Sequence, residues 1–229
     1  MTGETIIVIN PNSTVAVTED IDRALDPLRF ADGPEIVCLT LAEGPPGIET
    51  QRHVESVVLP LCRLIEGHDN RASAFVIACF SDPGLHLARE TTAKPVFGIA
   101  ESGLLSALAR GDRVGIIAIL EASVRRHRRY IRALGLESRL AGELALDLGV
   151  RELAEESVTF ARLTEVGARL RDDLGAEVLV LGCAGMARYR ARLEAALGVP
   201  VIDPTQAAVA MAIAAVRLGA GSGRQRAAE

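Results

Sequence analysis

Two stretches of this chain can be laid one over the other. KPVFGIAESG, residues 94–103, answers VPVIDPTQAA, residues 199–208; Cys79 stands 16 residues before Pro95, and Cys183 stands 17 before Pro200. Further upstream in each half, TIIVINPNST answers RVGIIAILEAS and EIVCLT answers LALDLG. Whatever one half folds into, the other half must fold into as well. The apolar runs at 5–10, 35–40, 74–79, 95–100, 113–119, 144–149, 177–183 and 200–203 are short, β-branched and bounded by Gly, Pro or Asn, which predicts buried strands. Segments with apolar residues at three- and four-residue spacing lie at 14–25, 50–67, 83–92, 121–134, 152–174 and 205–218 and predict helices. The alternation predicts an α/β fold: two similar α/β units with mainly parallel sheets, related by a pseudo-twofold duplication, with a cleft between them. Residues 1–98 with 205–229 are expected to form the first unit and 99–204 the second.

Composition agrees with buried parallel strands. Hydrophobic residues make up 49% of the 229, aromatics only 3%, and there is no Trp, so the interior is built from Val, Ile, Leu and Ala. A net charge of −5 with few aromatics gives neither a phosphate-binding field nor a stacking surface, so no nucleic-acid partner is expected. No apolar run is long enough to span a bilayer, and the first residues lack a secretory pattern, so a cytoplasmic protein without membrane contact is expected. The glycine-rich tail from Gly219 is expected to fray. The four cysteines share no C-x-x-C spacing that would point to a metal site or a redox pair.

In "FVIACFSDPGL" (75–85) and "VLVLGCAGM" (178–186) a thiol ends an apolar run just where a helix is expected to start. Ligands of α/β proteins bind at such carboxyl edges, so the duplication predicts that Cys79 and Cys183 meet across one cleft. Helix-opening N–H groups favour an anion, which predicts depressed thiol pKa values and open donors at Ala184 and Gly185. Two thiols flanking one tetrahedral carbon, each about 3–3.5 Å from it, would stand on the order of 7 Å apart, too far for a disulfide. This is the arrangement that takes a proton from one face of a carbon and returns one to the other. No metal and no cofactor are required if donors hold the carbonyl oxygen as an enolate.

Cys38 and Cys62 read as small core residues. Asn10 shapes a turn or caps the next helix; Ser81 and Asp82 also read as caps, and His86 falls about two turns beyond the thiol. The Arg-rich segment 123–135 reads as a solvated or subunit-contacting face, with Glu155, Glu156 and Glu165 as partners.

At VINPNST, ACFSDPGL and LGCAGM the chain resembles the hydantoin racemase branch of the aspartate/glutamate racemase superfamily, over roughly residues 4–217. The resemblance implies a cofactor-independent two-base racemase, an isomerase, with Cys79 and Cys183 as acid and base. It implies that Asn10 and the backbone at Phe80, Ser81, Ala184 and Gly185 hold a small carbonyl or carboxylate substrate, and that the protein is a homo-oligomer. The motifs depart from that branch at Ser81, at Ala118-Ile119 and at Thr50. Residues typical of glutamate racemases are not matched, and both cysteines are present where decarboxylases keep one. A 5-substituted hydantoin is the expected substrate; an amino acid or allantoin as substrate, a small-anion binding protein and a thiol redox protein are the alternatives.

Overall fold

The computed structural model describes residues 3–150 and 152–219. The first half runs β1 (Thr5–Asn10), α1 (Val15–Ala24), β2 (Glu35–Thr40), α2 (Gln51–Ser56), α3 (Val58–His68), β3 (Ala74–Ile77), α4 (Leu85–Thr91) and β4 (Val96–Gly98). The second runs α5 (Ile99–Leu108), β5 (Val114–Ala118), α6 (Glu121–Ala133), β6 (Leu140–Ala145), α7 (Glu156–Asp172), β7 (Val178–Leu181), α8 (Arg190–Leu197), β8 (Val201–Ile202) and α9 (Pro204–Arg217). Two parallel sheets result, ordered β2-β1-β3-β4 and β6-β5-β7-β8, so the duplication seen in the sequence is a duplication of topology.

Both faces of each sheet are covered, which is why the strands are almost wholly apolar. In the first sheet Ile7, Ile9, Phe75 and Ile77 face α3 and α4, while Ile6, Val8, Ala74 and Val76 face α1 and α9. In the second, Ile117, Leu179 and Leu181 face α7 and α8, while Val114, Ile116, Val178 and Val180 face α5 and α6. The helix that follows the last strand of each sheet therefore packs on the other sheet. α5 starts at the end of β4 yet packs on the second sheet; α9 starts at the end of β8 yet packs on the first. The two helices also pack on each other, and a Cβ at Gly103 on α5 would lie 2.8 Å from Pro204 Cβ at the start of α9.

Several boundaries differ from those the sequence predicts, each for a physical reason. The helix expected over 50–67 breaks at Val57, because Pro60 has no N–H to offer the carbonyl of Ser56 four residues back. The strand expected at 144–149 lies at 140–145; Glu143 in its middle spoils the apolar run, and all six residues are half-buried, as suits an edge. Helix α5 occupies part of a run expected to be strand, and α8 was not predicted at all. Residues 220–229 of the tail lie outside the described residues. Among the described residues no helix is long and apolar enough to cross a membrane.

Candidate active site

Strands β3 and β7 are interior strands of their sheets, and each runs out into a cysteine two residues past its last residue. After Ile77 the chain makes a tight turn, with Asp82 N–H donating to the Cys79 carbonyl at 2.9 Å. After Leu181 it enters a short 3-10 helix, Ala184–Tyr189, directly behind Cys183. Both thiols are free, and both line one cavity. Its wall is largely apolar, with Val17, Ile48, Ile119 and Val150 facing the space. Phe80, Ser81, Ala184 and Gly185 line it too.

Asn10 does not line this cavity. It is 1% exposed, and its amide nitrogen is spent on Asn12 Oδ1 (3.1 Å), Thr18 Oγ1 (3.0 Å) and the Thr14 carbonyl (3.4 Å). Its oxygen accepts the N–H of Asn12 at 3.2 Å. The side chain thus shapes the turn after β1, and it is Asn12 that this turn presents to the cavity.

The Arg-rich helix corrects another expectation. Ser123, Arg126 and His127 form one face of α6 and line the cavity, with Tyr130 a turn further on. Only the other faces are solvated, and their partners differ from those expected: Arg128 and Arg132 meet Glu137, and Arg129 donates to Gln51. Arg126 is 8% exposed, donating from Nη1 to the Glu49 carbonyl (2.7 Å) and from Nη2 to Ser123 Oγ (3.1 Å), while its Nε has no partner. His127 Nδ1 lies 2.6 Å from Glu143 Oε1, the two side chains only 4% and 2% exposed, and its ring meets the Phe80 ring edge-on at 5.0 Å. Among the described residues no cluster of His, Cys, Asp and Glu could hold a metal ion.

The thiols are not depressed by their helix-opening positions. Burial pushes Cys79 up to about 12, against the opposing N–H of Ser81 donating to its sulfur; Cys183 and Asp82 add to the rise, and Arg126 opposes it. Burial likewise pushes Cys183 up to about 11, against the N–H of Gly185, with Asp203 and Glu49 adding to the rise. Desolvation outweighs the backbone donors in both cases.

Asp82 anchors the Cys79 turn. Its carboxylate accepts the N–H groups of Ala100 (2.9 Å) and Glu101 (2.8 Å) and the Tyr130 hydroxyl (2.9 Å), so it caps α5 from a distant loop. In the second half the matching helix α9 is capped by its own preceding residue, Asp203, which accepts Gln206 N–H at 2.7 Å. Gly98 occupies the place of Asp203 in the repeat, and a Cβ there would fall 2.3 Å from Asp82 Cγ. Burial pushes both carboxyls up to about 7.

A family model described as Asp/Glu/Hydantoin racemase matches residues 6–212. The chain belongs to the Asp/Glu/Hydantoin racemase family. It is 36% identical to a hydantoin racemase of Pseudomonas sp. (strain NS671) over 217 residues, covering 93% of this chain and 86% of that one. It is 37% identical to a hydantoin racemase of Paenarthrobacter aurescens over 218 residues, covering 93% and 92%. Among solved structures, an allantoin racemase from Klebsiella pneumoniae superposes with a TM-score of 0.90 at 33% identity, covering 94% of this chain and 89% of that one. As a member of this racemase family the chain is an isomerase, and its substrate is a small molecule.

Proposed function

We propose that the protein is a cofactor-independent racemase of 5-substituted hydantoins, with Cys79 and Cys183 as the two bases. The observation that carries this is the meeting of two free thiols, from equivalent strand ends of a duplicated fold, in one cavity. One thiolate takes the proton from C5 of the ring, and the electron pair moves onto the adjacent carbonyl oxygen. The other thiol then gives its proton to the opposite face as the pair returns. Backbone N–H groups at Phe80, Ser81, Ala184 and Gly185 line the ring's polar edge, and Asn12 takes the place expected for Asn10. The largely apolar wall suits a neutral ring better than a dicarboxylic amino acid. Residues 1–98 with 205–229, and 99–204, are the two units flanking the site, and the working form is a cytoplasmic homo-oligomer, which sedimentation of the purified protein tests.

Proton NMR in heavy water tests the chemistry. L- and D-hydantoins, allantoin, and L- and D-aspartate are each incubated with wild type, Cys79→Ser and Cys183→Ser. Deuterium is expected at C5 of hydantoins with wild type, while either variant loses racemisation. Racemisation surviving in both variants overturns the two-thiol reading; exchange of aspartate alone overturns the substrate.

A further inference from the structure

A proton leaves a carbon next to a carbonyl only if the charge that builds on the carbonyl oxygen is met. The N–H groups of Ser81 and Gly185, the obvious donors, already act on the thiols of Cys79 and Cys183, opposing the rise that burial causes. Neutral N–H groups at Phe80 and Ala184 remain. Apart from the two thiols, Arg126 and His127 are the cationic or protonatable side chains at the cavity wall, and His127 Nδ1 is held by Glu143. Arg126 is different. Its two terminal nitrogens are fixed to the Glu49 carbonyl, the Ala122 carbonyl and Ser123, so the guanidinium cannot swing. Its Nε is buried with no acceptor, in a residue that lines the same cavity. A buried cationic donor left unmatched is costly in a folded protein, and it is what a site built for a developing anion presents.

We infer that Arg126 is a catalytic residue whose Nε–H donates to the ring carbonyl oxygen as that oxygen becomes an enolate. This deepens the racemase reading and rests on it. The C5–H bond breaks with its proton going to sulfur, its electron pair becomes the C=C bond of the enolate, and the carbonyl π pair moves onto the oxygen facing Nε. Reprotonation from the second thiol reverses the shift, so the guanidinium neither gains nor loses a proton. The charge of Arg126 also reaches Cys79, where it opposes the rise caused by burial. One cation therefore faces both the base and the oxygen.

The test is Arg126→Gln assayed on 5-isobutylhydantoin and 5-phenylhydantoin, with folding checked by thermal melting. A 5-phenyl ring shares the carbanion charge, so the oxygen carries less of it. For the isobutyl compound kcat is expected to fall about 10²–10³-fold with KM changed only a few-fold, as when one oxyanion donor is removed. For the phenyl compound the fall is expected to be at least about tenfold smaller. Equal losses on both substrates mean that Arg126 only braces the Glu49 segment and overturn the assignment, as does a rise in KM with kcat unchanged. If the Gln variant does not fold, Arg126→Lys decides in the same assay, since it keeps the cation but has no Nε–H donor in that place. Wild type that exchanges neither hydantoin overturns the racemase reading itself, and the assignment with it; an active wild type matched by Arg126→Gln overturns the assignment alone.

Discussion

Replacing Gly98 by alanine is the sharpest test of how the Cys79 turn is held. The backbone at 98 (φ −90°, ψ 141°) suits any residue, so the cost of a side chain there is not conformational. It is steric, because the new methyl would sit 2.3 Å from Asp82 Cγ and Oδ2 and 2.6 Å from Oδ1. Carbon atoms pack at about 3.5–4 Å, so the carboxyl has to retreat by more than about 1 Å. That retreat breaks three hydrogen bonds, two of which cap α5. At roughly 1 kcal/mol for each bond, with the cap among them, the loss comes to about 3 kcal/mol. Asp82 also carries the N–H that closes the turn on Cys79, so a displacement of about 1 Å at the thiol is expected to lower kcat on the order of 100-fold.

Urea unfolding of Gly98→Ala, Asp82→Gly and the double variant measures this directly. Asp82 has a positive φ of 41°, so glycine at 82 removes the carboxyl without straining the turn. In the Asp82→Gly background the three atoms nearest the new methyl are gone, and its cost is expected to shrink below about 0.5 kcal/mol. A further pair, Asp82→Gly with Gly98→Asp, moves the carboxylate to the place Asp203 holds in the other half and is expected to recover the cap. Additive costs in the first double variant, or a Gly98→Ala cost under about 1 kcal/mol, would refute this account.

The raised thiols set a pH profile: with Cys79 and Cys183 pushed up to about 12 and 11, thiolate is scarce near pH 7, and log kcat/KM is expected to climb with a slope near one between pH 7 and 9. A profile flat across that range contradicts it. The buried carboxyls act on stability with the opposite sense to a paired acid. Asp82 and Asp203 hold protons up to about 7 that the unfolded chain releases near 4, so stability is expected to fall as pH rises from 4 to 7. Asp203→Asn keeps an acceptor for Gln206 N–H and should flatten that fall, as read from urea midpoints between pH 4 and 8. Breaking the His127–Glu143 pair from one side, as His127→Phe or Glu143→Leu, is expected to cost about 3 kcal/mol, and the double variant less than the two summed. Additivity in that cycle would show that the two do not act as a pair.

The strands were legible because both faces of each sheet are covered, which leaves continuous runs such as TIIVIN and AFVI. The thiol pair was legible because duplication placed it twice. What escaped was set by distant partners. Helix α5 has no capping residue of its own, so nothing in residues 95–100 marks where the strand stops; the cap comes from Asp82. The edge strand was misplaced because Glu143 interrupts it, and that carboxylate answers a histidine sixteen residues earlier. Arg126 and His127 lay hidden among five arginines on a helix whose charge resembles a solvated face. Spacing alone held the signal: 123, 126, 127 and 130 are one face at three- and four-residue intervals, and a histidine on it is out of place in water. Asn10 and Asn12 share one turn, and only the hydrogen bonds decide which of them reaches the cavity.

The crossed helices α5 and α9 make the gap between the thiols a dimension of the core. The helix that follows each sheet's last strand covers the other sheet, so a cut at the boundary strips α9 from the first interior, and the two halves are expected to melt in a single transition. Among the described residues the chain passes from β4 into α5 and from β8 into α9 with no slack linker on which the lobes can swing. The crossing is close where Gly103 meets Pro204, and bulk added there is expected to wedge the sheets apart at one end. A methyl group buried far from any substrate would then act as a spacer, tuning how far apart the two sulfurs stand.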